Sequence, residues 1–207
     1  MRTLISIPII HTERDMGSLL EKVKQEYVQR YGSAKWEEHL KSIDEVWTGI
    51  RRMIEALDLP YTTVRLYQDG LPDCGREAEI VKEVAAQGSK NHQLLLELME
   101  RGAMLMGTED PELLLQEYHL LHGAFGLGMS PEMDPAKLLR EERSRNLLVE
   151  RDRYIARRIN STLLSGEIGL LFLGVAHSVE QLLDTDILVR NLLPALRAGE
   201  QPPDKEG

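Results

Sequence analysis

Two apolar segments of the sequence run into a histidine. Residues 3–10 are followed at once by His11, and the segment LFLGVAH ends on His177. An imidazole at the end of a buried strand can act as a general base or as a metal ligand. Both histidines are therefore candidate catalytic residues, and Glu13, two residues after His11, is a third.

Carboxylates follow the two other predicted strands. Asp69 comes after residues 62–68, and Glu109 comes after residues 103–107. Each residue alone has a structural explanation, because loops collect polar side chains. Ligands of open α/β sheets, however, bind outside the carboxyl ends of the strands. The repetition at four strand ends therefore predicts one shared site at that edge.

A further carboxylate interrupts an apolar stripe in a long predicted helix. The stripe has helical spacing and consists of Leu148, Asp152, Ile155, Ile159 and Leu163. A buried carboxylate is costly unless it is paired or bound to a metal, and Arg151 and Arg158 are the nearby cations. Asp152 is predicted to be buried and paired with an arginine or a histidine, either in a structural ion pair or in the site.

The elements that must position these residues alternate between strands and helices. Predicted strands at 3–10, 62–68, 103–107 and 168–174 are separated by helical patterns, and the residues after His177 are interpreted as a helical tail. This alternation predicts an α/β fold, rich in helix, with a mostly parallel central sheet. Residues 1–198 are expected to form a single domain, residues 122–135 a loop, and residues 199–207 a disordered tail.

The composition limits the function classes. The 207 residues carry a formal net charge of −9, which argues against general binding to nucleic acid or to an anionic membrane. Cys74 is the only cysteine, and no apolar run is long enough to span a membrane. These features favour a cytoplasmic protein that acts on a small molecule or a peptide, as a monomer or a homo-oligomer.

The stretch RDRYIARRINSTLLSGEIGLLFLGVAH, residues 151–177, resembles the C-terminal signature of the erythromycin esterase/ChaN-like superfamily, which includes TraB and Tiki proteins. That signature opens a helix with an Arg-Asp or Arg-Asn pair and ends a strand on Gly-x-x-His. Here the matching residues are Arg151, Asp152 and His177. The family's N-terminal Gly-x-x-His is matched by residues 8–11, with proline for glycine, and MGTED places Glu109 at its central strand end.

The resemblance implies a hydrolase with a histidine and carboxylate site at the carboxyl edge of the sheet. Imidazoles beside a carboxylate suit a divalent metal that activates water, and the predicted ligands are His11, Glu13 and His177. The metal-free alternative uses a histidine as general base, oriented by Glu13 or Asp69. A non-catalytic ligand-binding or regulatory protein on the same scaffold is the competing class.

Overall fold

The computed structural model describes residues 1–9, 20–124 and 135–193, and in them five strands form one parallel sheet in the order β3-β2-β4-β1-β5. The strands are β1 (Arg2–Ile9), β2 (Val64–Gln68), β3 (Met104–Met106), β4 (Ile168–Gly174) and β5 (Ile187–Asn191). The helices are α1 (Leu20–Tyr31), α2 (Ser33–Ala56), α3 (Glu77–Ala86), α4 (Lys90–Glu100), α5 (Pro111–Ala124) and α6 (Pro135–Thr162). The predicted α/β class with a parallel sheet is confirmed.

The central strand β4 shows why the sheet is buried on both faces. Its IGLLFLG sequence is almost continuously apolar, which is typical of a parallel strand covered by helices on each side. Leu170 and Phe172 pack into one core, whereas Leu171 and Leu173 pack into the other. The strand is thus held by apolar burial on both faces and by pairing with β1 and β2.

Helix α6 covers one face of the sheet and carries site residues to its carboxyl edge. Ile155, Ile159 and Leu163 are buried against the sheet, as the apolar stripe predicts. The helix ends at Thr162, shortly before β4 begins. Eleven residues earlier, about 16 Å back along the helix axis, Arg151 therefore lies near the opposite end of β4.

The predicted helical tail is wrong. Residues 187–191 form β5, which pairs in parallel with the outer edge of β1. Arg2, the first residue of β1, binds Asp186 at 2.9 Å and Asp184 at 2.8 Å, just before β5 begins. The open edge of β1 and this ion pairing select a strand for a short segment that local pattern alone leaves ambiguous.

Two other predicted features fall wholly or partly outside the described residues. Helix α5 continues to Ala124, so the first residues of the predicted loop are helical, and residues 125–134 are not described. The predicted disordered tail at residues 199–207 is also outside the described part. Among the helices that are described, none combines the length and the apolarity needed to cross a lipid bilayer.

Candidate active site

Asp69 is the first residue after β2 and is fixed to the end of β4. Its backbone N–H donates to the carbonyl of Phe172 at 2.9 Å, which extends the strand pairing by one residue. Its Oδ2 accepts a hydrogen bond from the backbone N–H of Gly174 at 2.9 Å. The carboxylate is buried and lies across the last residue of β4.

Glu109 reaches the same place from the loop after β3, and it is fully buried. Its Oε1 accepts from the backbone N–H of Gly70 at 2.7 Å, and its carbonyl accepts from the backbone N–H of Asp73 at 2.8 Å. Its own backbone N–H donates to the carbonyl of Leu71 at 3.0 Å. The loops after β2 and β3 are therefore cross-linked, which fixes Asp69 and Glu109 relative to each other.

The buried guanidinium of Arg151 joins these carboxylates. Its Nε donates to Glu109 at 2.5 Å, and its Nη2 donates to Glu109 at 2.8 Å and to Asp69 at 2.9 Å. Its Nη1 donates to Glu117 of α5, whose side chain is partly exposed. Burial alone would lower the pKa of Arg151, but the hydrogen bonds to Glu109 and the charges of the neighbouring carboxylates outweigh burial and raise the pKa above its ordinary value. Burial raises the pKa of Glu109, against the opposing effect of Arg151.

His177 lies between two carboxylates from different elements. Its Nδ1 is 2.6 Å from Oδ1 of Asp152, and its Nε2 is 3.5 Å from Oδ2 of Asp69. The other oxygen of Asp152 accepts from the backbone N–H of Ser178 at 2.9 Å. Burial lowers the pKa of His177, but the two carboxylates outweigh it and raise the pKa to about 9. His177 is therefore protonated at neutral pH while both carboxylates face it.

The donor atoms of this cluster fit a divalent cation. Asp69, Glu109 and His177 each offer one ligand atom, and these three atoms lie within 4.8 Å of one another. One imidazole nitrogen with two carboxylate oxygens is a donor set that Zn²⁺ and Mn²⁺ accept. Asp152 on the other ring nitrogen matches the carboxylate that commonly orients a metal-binding histidine. Arg151 already shares both carboxylates, so an ion would have to share them with the guanidinium.

A second ion pair, between Arg158 and Asp73, fixes the loops after β2 and β3 to helix α6. Arg158 of α6 donates to Asp73 at 3.0 Å and to the carbonyl of Gly107 at 3.0 Å, and Tyr154 also donates to Asp73. A Cβ on Gly107 would lie only 2.5 Å from the Cα of Asp73. Glycine is therefore required where the two loops meet, and Arg158 fastens them there.

Five of the seven predicted site residues are brought together: Asp69, Glu109, Arg151, Asp152 and His177. The predicted burial and pairing of Asp152 are confirmed, with His177 as its partner. Arg158, considered as a partner of Asp152, pairs with Asp73 instead. His11 and Glu13 lie outside the described residues, although β1 ends at Ile9 beside Gly174.

Sequence reasoning missed Glu117, and it considered Asp73 and Arg158 without pairing them with each other. Glu117 lies within the leucine-rich α5 and carries no local signal that distinguishes it from a solvated glutamate. Asp73 follows a predicted strand, and Gly107 precedes Glu109, but their contact depends on how two distant loops meet. Gly107, two residues before a candidate carboxylate, was the one available signal for close packing.

No protein-family model, no curated protein and no solved structure matches this chain. The superfamily resemblance at residues 151–177 therefore stays an expectation from the sequence.

Proposed function

We propose that the protein is a hydrolase that binds a divalent metal ion through Asp69, Glu109 and His177. The observation that carries the proposal is the convergence of these ligand atoms from three strand ends within 4.8 Å of one another. Their separation along the chain means that only the folded sheet edge assembles them. The substrate is proposed to be a small molecule or a peptide.

The chain's own residues would have distinct tasks at this site. Asp152 fixes the His177 ring through Nδ1, so that Nε2 faces Asp69. Because the ring is protonated at neutral pH, a cation that binds at Nε2 would have to displace that proton. Arg151 holds Glu109 and Asp69 in place and offsets part of their charge. A divalent ion bound here would supply a water of lowered pKa. Without an ion, His177 is protonated at neutral pH and would donate its Nε2 proton during hydrolysis, as a general acid.

The alternative is a non-catalytic binding or regulatory protein, and one observation favours it. Arg151 contacts both Asp69 and Glu109, and His177 pairs with Asp152. The charges are thus largely compensated by the protein's own groups. Such a network is also expected of a structural ion cluster, which is retained for specificity rather than for catalysis.

The first measurement tests whether the site binds a metal ion. The protein, stripped with a chelator, is titrated with Zn²⁺ and Mn²⁺ by calorimetry, together with Asp69→Asn, His177→Ala and His11→Ala variants. His39→Ala is the control, because His39 is exposed on α2. We expect one ion per chain in the wild type and in the control, and at least tenfold weaker binding in Asp69→Asn and His177→Ala. Weaker binding in His11→Ala would support the sequence-based ligand assignment.

Hydrolysis is then measured with peptide, ester and phosphate-ester substrates, with and without the ion that binds. Turnover that His177→Ala abolishes would support the hydrolase. Absence of saturable metal binding in the wild type would overturn the metal-dependent form. Absence of turnover on every substrate class, with binding intact, would favour the non-catalytic alternative.

A further inference from the structure

The guanidinium of Arg151 occupies carboxylate oxygens that a metal ion at the candidate active site would need. Its Nε and Nη2 donate to the two oxygens of Glu109, and Nη2 also donates to Oδ1 of Asp69. Both carboxylates belong to the proposed ligand set. A divalent cation beside the guanidinium would also repel it. The ion and Arg151 therefore compete for the same two carboxylates.

Glu117 is the third carboxylate on this guanidinium, and it differs from the other two in position and in exposure. It lies in the middle of α5 and accepts a hydrogen bond from Nη1, the nitrogen that donates to neither Asp69 nor Glu109. Its side chain is 38% exposed, whereas those of Asp69 and Glu109 are 5% exposed or less. Glu117 is also not one of the three residues whose ligand atoms converge. It can therefore compensate the charge of Arg151 while the other two carboxylates bind an ion.

Helix α5 is packed less tightly than the strand ends that carry the ligands. Over residues 111–120, for which burial is described, every side chain is exposed or half-buried. The half-buried apolar residues in this range are Leu113, Leu114 and Leu120. An element with few buried side chains moves at a low cost in free energy. The contact between Glu117 and Arg151 thus links a weakly packed helix directly to the buried cluster.

We propose that Glu117 is a positioning residue, which holds the Arg151 guanidinium when a divalent cation binds the other two carboxylates and thereby couples α5 to the ion. This inference rests on the proposed function, since it needs an ion at that site. Coupling between two events is reciprocal, so Glu117 tightens ion binding and the ion stabilises α5 by the same factor. A partner that displaced α5 would weaken ion binding, which makes α5 the regulatory element of the site.

The ion affinity of full-length variants tests the proposal. Glu117→Gln keeps the size of the side chain and an acceptor for Nη1 but removes the charge, at a position that is partly exposed. Calorimetric titration with Zn²⁺ and Mn²⁺ should show about tenfold weaker binding in Glu117→Gln than in the wild type. Glu112→Gln is the matched control, because Glu112 is exposed in the first turn of the same helix and its replacement should leave the affinity unchanged.

Two further measurements show whether Glu117 acts through Arg151. Arg151→Lys keeps the positive charge but lacks the planar fork that spans Glu109 and Glu117, so in this background Glu117→Gln should change the affinity less than about twofold. Hydrogen exchange gives the reciprocal readout: saturating Zn²⁺ should slow exchange of the α5 amides by up to about tenfold in the wild type and by less in Glu117→Gln. The exchange result decides alone if Arg151→Lys does not fold or binds no ion.

Several results would overturn this inference while leaving the metal site in place. Wild-type affinity in Glu117→Gln would mean that Glu117 has no role in ion binding. An equal loss in Glu112→Gln would assign the effect to the general field of α5. A full tenfold loss in the Arg151→Lys background, or α5 exchange that Zn²⁺ leaves unchanged, would mean that Arg151 does not transmit the effect. Absence of ion binding in the wild type would instead overturn the metal-dependent function together with this inference.

Discussion

At the scale of single residues, the unusual feature is a histidine that two carboxylates approach from different elements. Asp152 contacts Nδ1 of His177 from α6, and Asp69 faces Nε2 from the end of β2. The imidazole is almost completely buried, so its charge depends on these partners rather than on solvent. The protonation state of His177 is therefore tied to the folded state.

The raised pKa of His177 predicts how the free energy of unfolding changes with pH. The pKa of His177 is about 9 in the folded protein and about 6.5 when exposed. The contribution of His177 to the free energy of unfolding is therefore fully present below pH 6.5. It is lost as the pH rises through about 9. The linkage is worth about 3 kcal/mol at most. Denaturant unfolding in chelator at several pH values should show a steeper loss of stability in the wild type than in His177→Gln.

The comparison with His177→Gln removes the contribution of every other group, since the two proteins share all of them. Parallel stability curves for the wild type and the variant would contradict a raised pKa of His177. A wild-type stability that increases relative to the variant as the pH rises towards about 6.5, and stays level above it, would mean that the pKa is lowered by burial instead.

At the scale of the elements, the site depends on two loops that meet after β2 and β3. The loops share backbone hydrogen bonds between residues 71–73 and 108–109. Arg158 of α6 then bridges Asp73 and Gly107. Two loops separated by more than thirty residues thus behave as one rigid platform for Asp69 and Glu109.

The substitution Gly107→Ala tests whether the loops after β2 and β3 are tightly packed against each other. We expect Gly107→Ala to lose about 1–3 kcal/mol of unfolding free energy, because the added Cβ would meet backbone atoms of Asp73 and force the loops apart. Gly49→Ala is the control: Gly49 lies inside α2 with no atom within 4 Å of the added Cβ, so the same change should gain about 0.5–1 kcal/mol. Denaturant midpoints measure both, and equal effects would mean that the loops are not tightly packed.

At the scale of the whole molecule, Arg2 ties both ends of the described chain together. It binds Asp184 and Asp186 before β5, and its Nη1 donates to the carbonyl of Asn160 near the end of α6 at 2.7 Å. These contacts join β1, α6 and the edge strand. Because β5 has β1 as its only partner strand in the described sheet, its stability depends strongly on them.

Replacing Arg2 should therefore loosen the edge of the sheet. We expect Arg2→Met to cost about 2 kcal/mol, since charge-assisted hydrogen bonds are lost while the two aspartates stay partly solvated. Hydrogen exchange of β5 amides should accelerate more than that of β4 amides. Arg190→Met, at an exposed position of β5, is the control and should change stability by less than about 0.5 kcal/mol. Uniform acceleration across the sheet would contradict a local role of Arg2.

The sequence by itself determined the features that depend on local period. Continuous apolar runs identified β1 and β4, and the three- and four-residue spacing on α6 identified the buried position of Asp152. The alternation of strands and helices was enough for the parallel sheet, because such connections require helical crossovers. Residues at strand ends were predicted to converge since parallel strands share one carboxyl edge.

Only the tertiary structure decided the pairing between distant groups. Arg151 and Asp152 are adjacent in sequence, yet the first binds Glu109 and the second binds His177, on two sides of the cluster. Strand β5 likewise forms because β1 offers an unpaired edge, since the local sequence pattern of residues 187–191 does not by itself distinguish a strand from a helix. The physical reason is the same in both cases: local propensity acts over a few residues, whereas ion pairing and strand pairing depend on which groups the folded core brings within a few ångströms.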